Sequence, residues 1–324
     1  MIENKHKLEI CFGPLKILAL SNNVLILRYI RSLKYLHTFL FKTSSQINEN
    51  IPIFEVVDGK KVDIKYYPNL KKLKLFLNWE EFNKTTIIEE VLWQYFFLIS
   101  IENENWPMHA ASVEYGDEGI LLVGATTSGK TSIALGLCNL GKYRWIADDW
   151  LSLKLINHEV FINDKDNLIS IRKFGFEDIE KIFSKSVGCV IKKRFGNGNS
   201  PLTKTIPPLS SSDLKINEAS LPLKVRKIFF VQIINNKFYC EKVSKGRMIN
   251  LIANEYVKAL NGYSGYFIDN KERVNGKPIV TVPGLGWKKI LLLVDELSDI
   301  CQGYFVSGSL KEVVNKILEI NNEK

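Results

Sequence analysis

Over its first 75 residues the chain mixes alternating apolar and polar positions with short apolar runs. His6–Phe12, Leu15–Leu20 and Val24–Ile30 are runs of strand length, separated by the turn formers Gly13-Pro14 and Asn22-Asn23. Ile53–Val57, the turn Asp58-Gly59 and Val62–Tyr66 predict a hairpin. The period then changes. Ile87, Val91, Leu92, Tyr95 and Leu98 share one helical face, which predicts a helix over Asn83–Ile101 that joins the β-rich part to the core of the chain. His109–Tyr115 returns to a strand pattern, and Gly116-Asp117-Glu118-Gly119 turns it antiparallel into the apolar run Ile120–Val123. Ile133, Ala134, Leu137 and Leu140 then recur at helical spacing, with Gly141 as a stop.

Further along, Tyr143–Ala147 predicts a short apolar strand, and Ile169–Phe174 a second that carries Arg172 and Lys173. Phe195–Leu223 is the longest irregular stretch, of a size that in a compact domain is a lid, a binding loop or disorder. Lys227–Cys240 predicts two strands around Asn235-Asn236, and Lys245–Asn261 a helix. Ile279–Val282, Lys289–Val294 and a helix over Leu310–Ile320, with Ser309 as its N-cap, close the chain.

Between the apolar strand and the helix lies Gly124-Ala125-Thr126-Thr127-Ser128-Gly129-Lys130-Thr131, which matches G-x-x-x-x-G-K-[ST] at every fixed position. Strand, glycine loop and helix is the setting in which successive N–H groups converge on phosphate oxygens at a helix N-terminus. Lys130 would add a positive charge at the β- and γ-phosphates, and the Thr131 hydroxyl would ligate Mg²⁺. This pattern predicts nucleoside triphosphate binding, with ATP and Mg²⁺ as the cofactors.

Asp148 and Asp149 end the next apolar strand, where a Walker-B carboxylate is expected. Adjacent strand residues face opposite ways, so the two aspartates have different tasks: one near the metal, the other able to take a proton from an attacking hydroxyl. His109 falls on the strand neighbouring the phosphate loop and is a candidate catalytic group, against the commoner structural role of a lone histidine. Arg172 is a candidate cation for the transferred phosphoryl group, against an equal reading as surface charge.

Composition narrows the class. The 324 residues are 46% hydrophobic and 24% charged, as in ordinary globular proteins. Val91–Ile101, the longest uncharged apolar run, is about half of the roughly 20 residues a membrane helix needs. Glu3, Lys5, Lys7 and Lys16 leave no signal-peptide pattern, and the five scattered cysteines form no C-x-x-C, so a reducing cytoplasm is expected. The net charge of +9 is uneven: residues 181–228 hold 10 basic and 2 acidic side chains, whereas residues 101–180 hold 7 and 13. That basic segment is either a solvated face or a surface for an anionic partner.

The run from His109-Ala-Ala through Gly119-Ile-Leu-Leu-Val-Gly, Ser128-Gly-Lys-Thr and Ile146-Ala-Asp-Asp resembles the catalytic core of the HPr kinase/phosphorylase family. It is similar in particular to HPr-kinase-like proteins of peptide-natural-product pathways, including the lasso-peptide kinases. The resemblance is specific over about residues 106–155. It implies an α/β fold with mixed sheets, the phosphoenolpyruvate-carboxykinase-like P-loop core. A β-rich accessory domain over residues 1–82 and a connecting helix over 83–105 would precede a catalytic domain over 106–324. It implies Asp148 as catalytic base and Thr131 with Asp149 on the metal side. Ser132 stands where the bacterial enzymes carry an acidic residue, and their glycine- and arginine-rich signature has no counterpart, which argues against HPr as substrate.

The sequence therefore predicts an ATP-dependent kinase acting on a serine or other hydroxyl of a peptide or small protein, one with anionic character if the basic segment meets it. The alternative is an ATP-binding regulatory module with slow hydrolysis. Nucleic-acid binding ranks last, because the basic segment lacks interleaved aromatics and a known module. A homo-oligomer is compatible with this reading, and a membrane partner is not expected.

Overall fold

The computed structural model describes residues 6–12, 15–33, 39–42, 51–60, 63–82, 87–164, 168–169, 209–234, 237–261 and 284–323. Arg172, Lys192, Lys193, Arg194, Cys189, residues 195–208 of the long irregular stretch and Ile279–Val282 lie outside them. The fold is mixed α/β. It divides into two units, Met1–Trp106 with Tyr256–Ile290, and Pro107–Glu255 with Leu291–Lys324.

The first unit is built on a six-stranded sheet. Its strands are β1 (His6–Phe12), β2 (Leu15–Ser21), β3 (Phe39–Lys42), β4 (Ile53–Asp58), β5 (Asp63–Tyr67) and β6 (Lys72–Leu77), in the order β3-β1-β2-β4-β6-β5. The β1 and β2 runs pair antiparallel with Ile10 opposite Ile17, as their alternation predicts. Along β6, Leu73, Leu75 and Leu77 are buried while Lys72 and Lys74 reach out to Glu55, at 2.6 and 3.5 Å.

Two expectations fail here. Val24–Ile30 is not a strand but the start of α1 (Val24–Ser32). Asn23 Oδ1 accepts from Leu25 N at 2.9 Å and caps the helix, and Ile26, Leu27 and Ile30 form its buried stripe. The apolar run alone could not separate a short helix from a strand. The second failure is one of pairing. β4 and β5 exist, but β6 lies between them, parallel to β4 and antiparallel to β5. The close turn comes later, through Pro68–Leu70 and Lys71 at φ 42. After α2 (Trp79–Phe82), α3 (Ile87–Glu102) is buried on almost every side, and Tyr95 stacks on Phe54 of β4 with centroids 6.0 Å apart.

The second unit centres on parallel strands. These are β9 (Glu118–Val123), β15 (Leu223–Ile233) and β17 (Gln302–Gly308), with Phe230 opposite Val123 and Val231 opposite Val306. β8 (Ala110–Tyr115) is antiparallel to β9, with Ala110 opposite Val123, and β10 (Arg144–Ala147) is antiparallel to β8. Two antiparallel steps bring β9 and β10 back to one direction, so both end at the same sheet edge. β11 (Leu151–Ile156) and β12 (Glu159–Ile162) form a hairpin through Asn157 and His158, both at positive φ, and β12 meets the start of β15. The sheet runs β10-β8-β9-β15-β12-β11-β7, where β7 is Trp106–Met108, and β16 (Tyr239–Val243) extends it beside β17. The strands around Asn235-Asn236 are therefore not neighbours, because β17 lies between them. β13 (Leu168–Ile169) and β14 (Leu209–Ser210) make a separate pair.

The helices after β9 and β17 are α4 (Lys130–Asn139) and α7 (Leu310–Asn322). Ile133, Leu137, Val313 and Ile317 pack with Leu122, Phe229, Val231 and Val306 in one buried core. Ser309 caps α7 in a reciprocal box with Glu312, at the predicted position. α5 (Lys245–Asn261) matches its expected span, whereas Lys289–Val294 belongs to α6 (Gly284–Ile300).

Candidate active site

The loop at 124–129 leaves β9 and enters α4 with the geometry its glycines permit. Gly129 has φ 94, a region open to glycine at little cost. A Cβ on Gly124 would lie 2.6 Å from Val231 O and from Ser128 Oγ, so nothing larger fits without a shift. Ser128 N donates to Ala125 O at 3.0 Å and closes the loop on itself. Ala125, Thr126 and Thr127 form an exposed crest, whereas Ser128 is buried and its hydroxyl finds no hydrogen-bond partner among the described residues. Gly129 offers no side-chain cap to α4, and the first turn of the helix presents its positive end at this loop.

Lys130 is the first residue of α4 and is buried. Its Nζ folds back over the loop and donates to Gly124 O at 3.0 Å and Ala125 O at 3.3 Å. The next residue, Thr131, donates from Oγ1 to Asp148 Oδ1 at 2.8 Å. Asp148 comes directly after the last residue of β10 and is 2% exposed, so its carboxylate is held inside by that hydroxyl and its other neighbours.

Asp149 turns the other way. Trp150 N donates to Asp148 O at 2.8 Å across Asp149, whose φ is 65. A hydrogen bond from i to i+2 around a positive-φ residue is the rare, strained form of γ-turn. The turn sends Asp149 Oδ1 to within 3.5 Å of His109 Nε2, and leaves the Asp149 side chain half exposed. It also sets Trp150 beside the His109 ring, with centroids 5.6 Å apart.

His109 immediately precedes β8 and is buried. Burial lowers its pKa below the usual 6.5; Lys130 pushes in the same direction, while Asp149 and Glu255 oppose both. Near neutral pH the ring is therefore uncharged, and a tautomer with hydrogen on Nε2 would present a donor to Asp149.

The structure thus brings His109, Lys130, Thr131, Asp148 and Asp149 to one edge. It pairs them differently from the family-based expectation: Thr131 shares a hydrogen bond with Asp148, and Asp149 faces His109. Three participants were not picked out in the sequence. Trp150 is set by the γ-turn, Glu255 is a buried carboxylate of α5, and Ile233 at the end of β15 donates from its N–H to Ser128 O at 2.8 Å. Only Trp150, next to the aspartates, carried a signal in the sequence.

No group of three or more His, Cys, Asp or Glu side chains among the described residues is arranged to hold a metal by itself. Thr131 and Asp148 supply two hard oxygen donors, the partial set from which Mg²⁺ is bound together with phosphate oxygens and water. Among the described residues no helix is long and apolar enough to cross a membrane.

No family model and no curated protein matches the chain. Among solved structures, the Hpr(Ser) kinase/phosphatase from Coxiella burnetii aligns at 13% identity and a TM-score of 0.26, over 42% of this chain and 76% of that one. A likeness of that size carries no argument, and the site is read from its own geometry.

Proposed function

We propose that the chain is a phosphotransferase that moves the γ-phosphoryl group of ATP to a hydroxyl of a peptide or small protein. The observation that carries this reading is the splitting of two adjacent carboxylates, Asp148 to the hydroxyl of the phosphate loop and Asp149 to a buried histidine. One side of the pair suits a metal and the other suits a proton.

In this reading the loop N–H groups and the first turn of α4 bind the phosphates, and Lys130 leaves the Gly124 and Ala125 carbonyls to meet β/γ oxygens. The unsatisfied Ser128 hydroxyl is a further donor within the loop. Mg²⁺, held by Thr131 and Asp148 with the nucleotide, would neutralise charge on the transferred group. Asp149 accepts the proton of the attacking hydroxyl, and neutral His109 donates to the same carboxylate and orients it. Positioning and electrostatics supply most of the rate in such chemistry. The anionic character of the acceptor rests on the basic segment 181–228, and the nucleotide on the loop sequence.

Calorimetric titration with Mg·ATP tests the cradle. Following the γ-phosphate by phosphorus NMR, with and without serine-containing peptides, tests the transfer. Absence of binding would sink the whole reading, and release of inorganic phosphate alone, unaffected by any peptide, would replace transfer by hydrolysis.

A further inference from the structure

Both glycines of the loop are crowded by one strand that contributes nothing to the loop sequence. Val231 O of β15 lies 2.6 Å from where a Cβ of Gly124 would be. Two residues on, the Ile233 side chain lies against Gly129, its Cδ1 and Cγ1 2.2 and 2.5 Å from a Cβ built there. Between these contacts Ile233 N donates to Ser128 O at 2.8 Å, and the next residue, Ile234, donates to Gly308 O at 2.9 Å. The end of β15 is thus fixed to the turn before α7 on one side and grips the phosphate loop on the other.

The grip has a directional consequence. In a trans peptide the C=O and the N–H point opposite ways. Anchoring Ser128 C=O on the strand therefore aims the Gly129 N–H away from β15. Without the anchor this peptide is free to flip, because Gly129 tolerates either sign of φ. We propose that Ile233 is a positioning residue for nucleotide binding: it touches no phosphate, yet its side chain, packed over Gly129, keeps its N–H on Ser128 O and so holds the Ser128–Gly129 peptide in the orientation that receives one. The inference rests on the proposed reading of the loop as a phosphate cradle.

Two variants and a control test it, with Mg·ATP as the probe. Ile233→Ala removes the side chain over Gly129, and Ile233→Val removes only Cδ1, the atom nearest to it. Val313→Ala, on α7 in the same buried core, creates a cavity without touching the loop. Substitutions remote from a ligand shift its binding by about 3- to 30-fold where coupling exists. Ile233→Ala is expected to raise Kd for Mg·ATP within that range, and Ile233→Val by less in the same direction. Val313→Ala should leave Kd unchanged even if it lowers Tm as far. Amide exchange over residues 124–130 should quicken in Ile233→Ala and not in Val313→Ala.

Equal Kd in wild type and Ile233→Ala would overturn the proposal, as would equal weakening by Val313→Ala at matched loss of Tm. If Ile233→Ala does not fold, an unchanged Kd in Ile233→Val overturns it. A wild-type protein that binds no Mg·ATP is a different result, and removes the cradle reading itself.

Discussion

The Thr131 hydroxyl donates a 2.8 Å hydrogen bond to Asp148, 17 residues further along the chain. That bond ties the first turn of α4 to the end of β10 and sets one of two neighbouring carboxylates against Thr131.

Asp148→Asn keeps an acceptor oxygen for Thr131 but loses the charge. Mg²⁺-dependent ATP affinity should fall by about 10- to 100-fold, the scale on which metal sites respond to losing a supporting group. Asp149→Asn should leave Mg·ATP binding nearly intact while phosphoryl transfer drops by roughly 10² to 10⁴. Calorimetry and single-turnover transfer separate the two, and the opposite pattern would exchange the roles.

Lys130 Nζ donates to the carbonyls of Gly124 and Ala125, groups of the loop itself. Lys130→Ala should remove measurable triphosphate binding. Unchanged ATP affinity by calorimetry would remove the loop from the mechanism.

Two glycines with similar backbones should respond differently. Gly129 (φ 94) and Gly141 (φ 76) both disfavour a side chain, but a Cβ at Gly141 meets nothing within 4 Å. Gly141→Ala should cost only the backbone strain, about 1–2 kcal/mol, and keep ATP binding. Gly129→Ala adds the collision with Ile233, so its loss of Tm should be larger and binding should vanish. Thermal melts with and without Mg·ATP distinguish them.

His109 makes stability depend on pH with a definite sign. Burial holds its folded pKa below the ordinary 6.5, so as pH falls the unfolded chain takes up the proton first. Its contribution is complete above that ordinary value and is lost as pH falls toward the depressed one. Denaturant titrations at about pH 7 and about pH 5 should show a smaller acid loss in His109→Gln than in wild type. An identical loss would show that other groups carry it.

How much of this was legible in the sequence depends on distance along the chain. The β8–β9 hairpin, the loop, α4 and the Asp148–Asp149 strand end are all written in contiguous pattern. α5 and the Ser309 cap are too. What failed was either local competition or remote pairing. Asn23 capping turned Val24–Ile30 into a helix, and insertion of β6 separated β4 from β5. The different settings of Asp148 and Asp149 were hidden as well. They rest on a positive φ at Asp149 and on Thr131 and His109, whose approach no periodicity encodes. Ile233 was hidden for the same reason: its partner is a backbone carbonyl roughly a hundred residues earlier.

That separation bears on how the protein comes into being. While the ribosome delivers Gly124–Thr131, the strand that grips them has not yet been made, and β17, the other parallel neighbour of that strand, is later still. A nascent chain ending short of Leu223 carries the whole Gly124–Thr131 sequence without the strand that closes on it. Nucleotide should consequently fail to rescue early translation intermediates from proteolysis and begin to do so only once β15 is out of the exit tunnel.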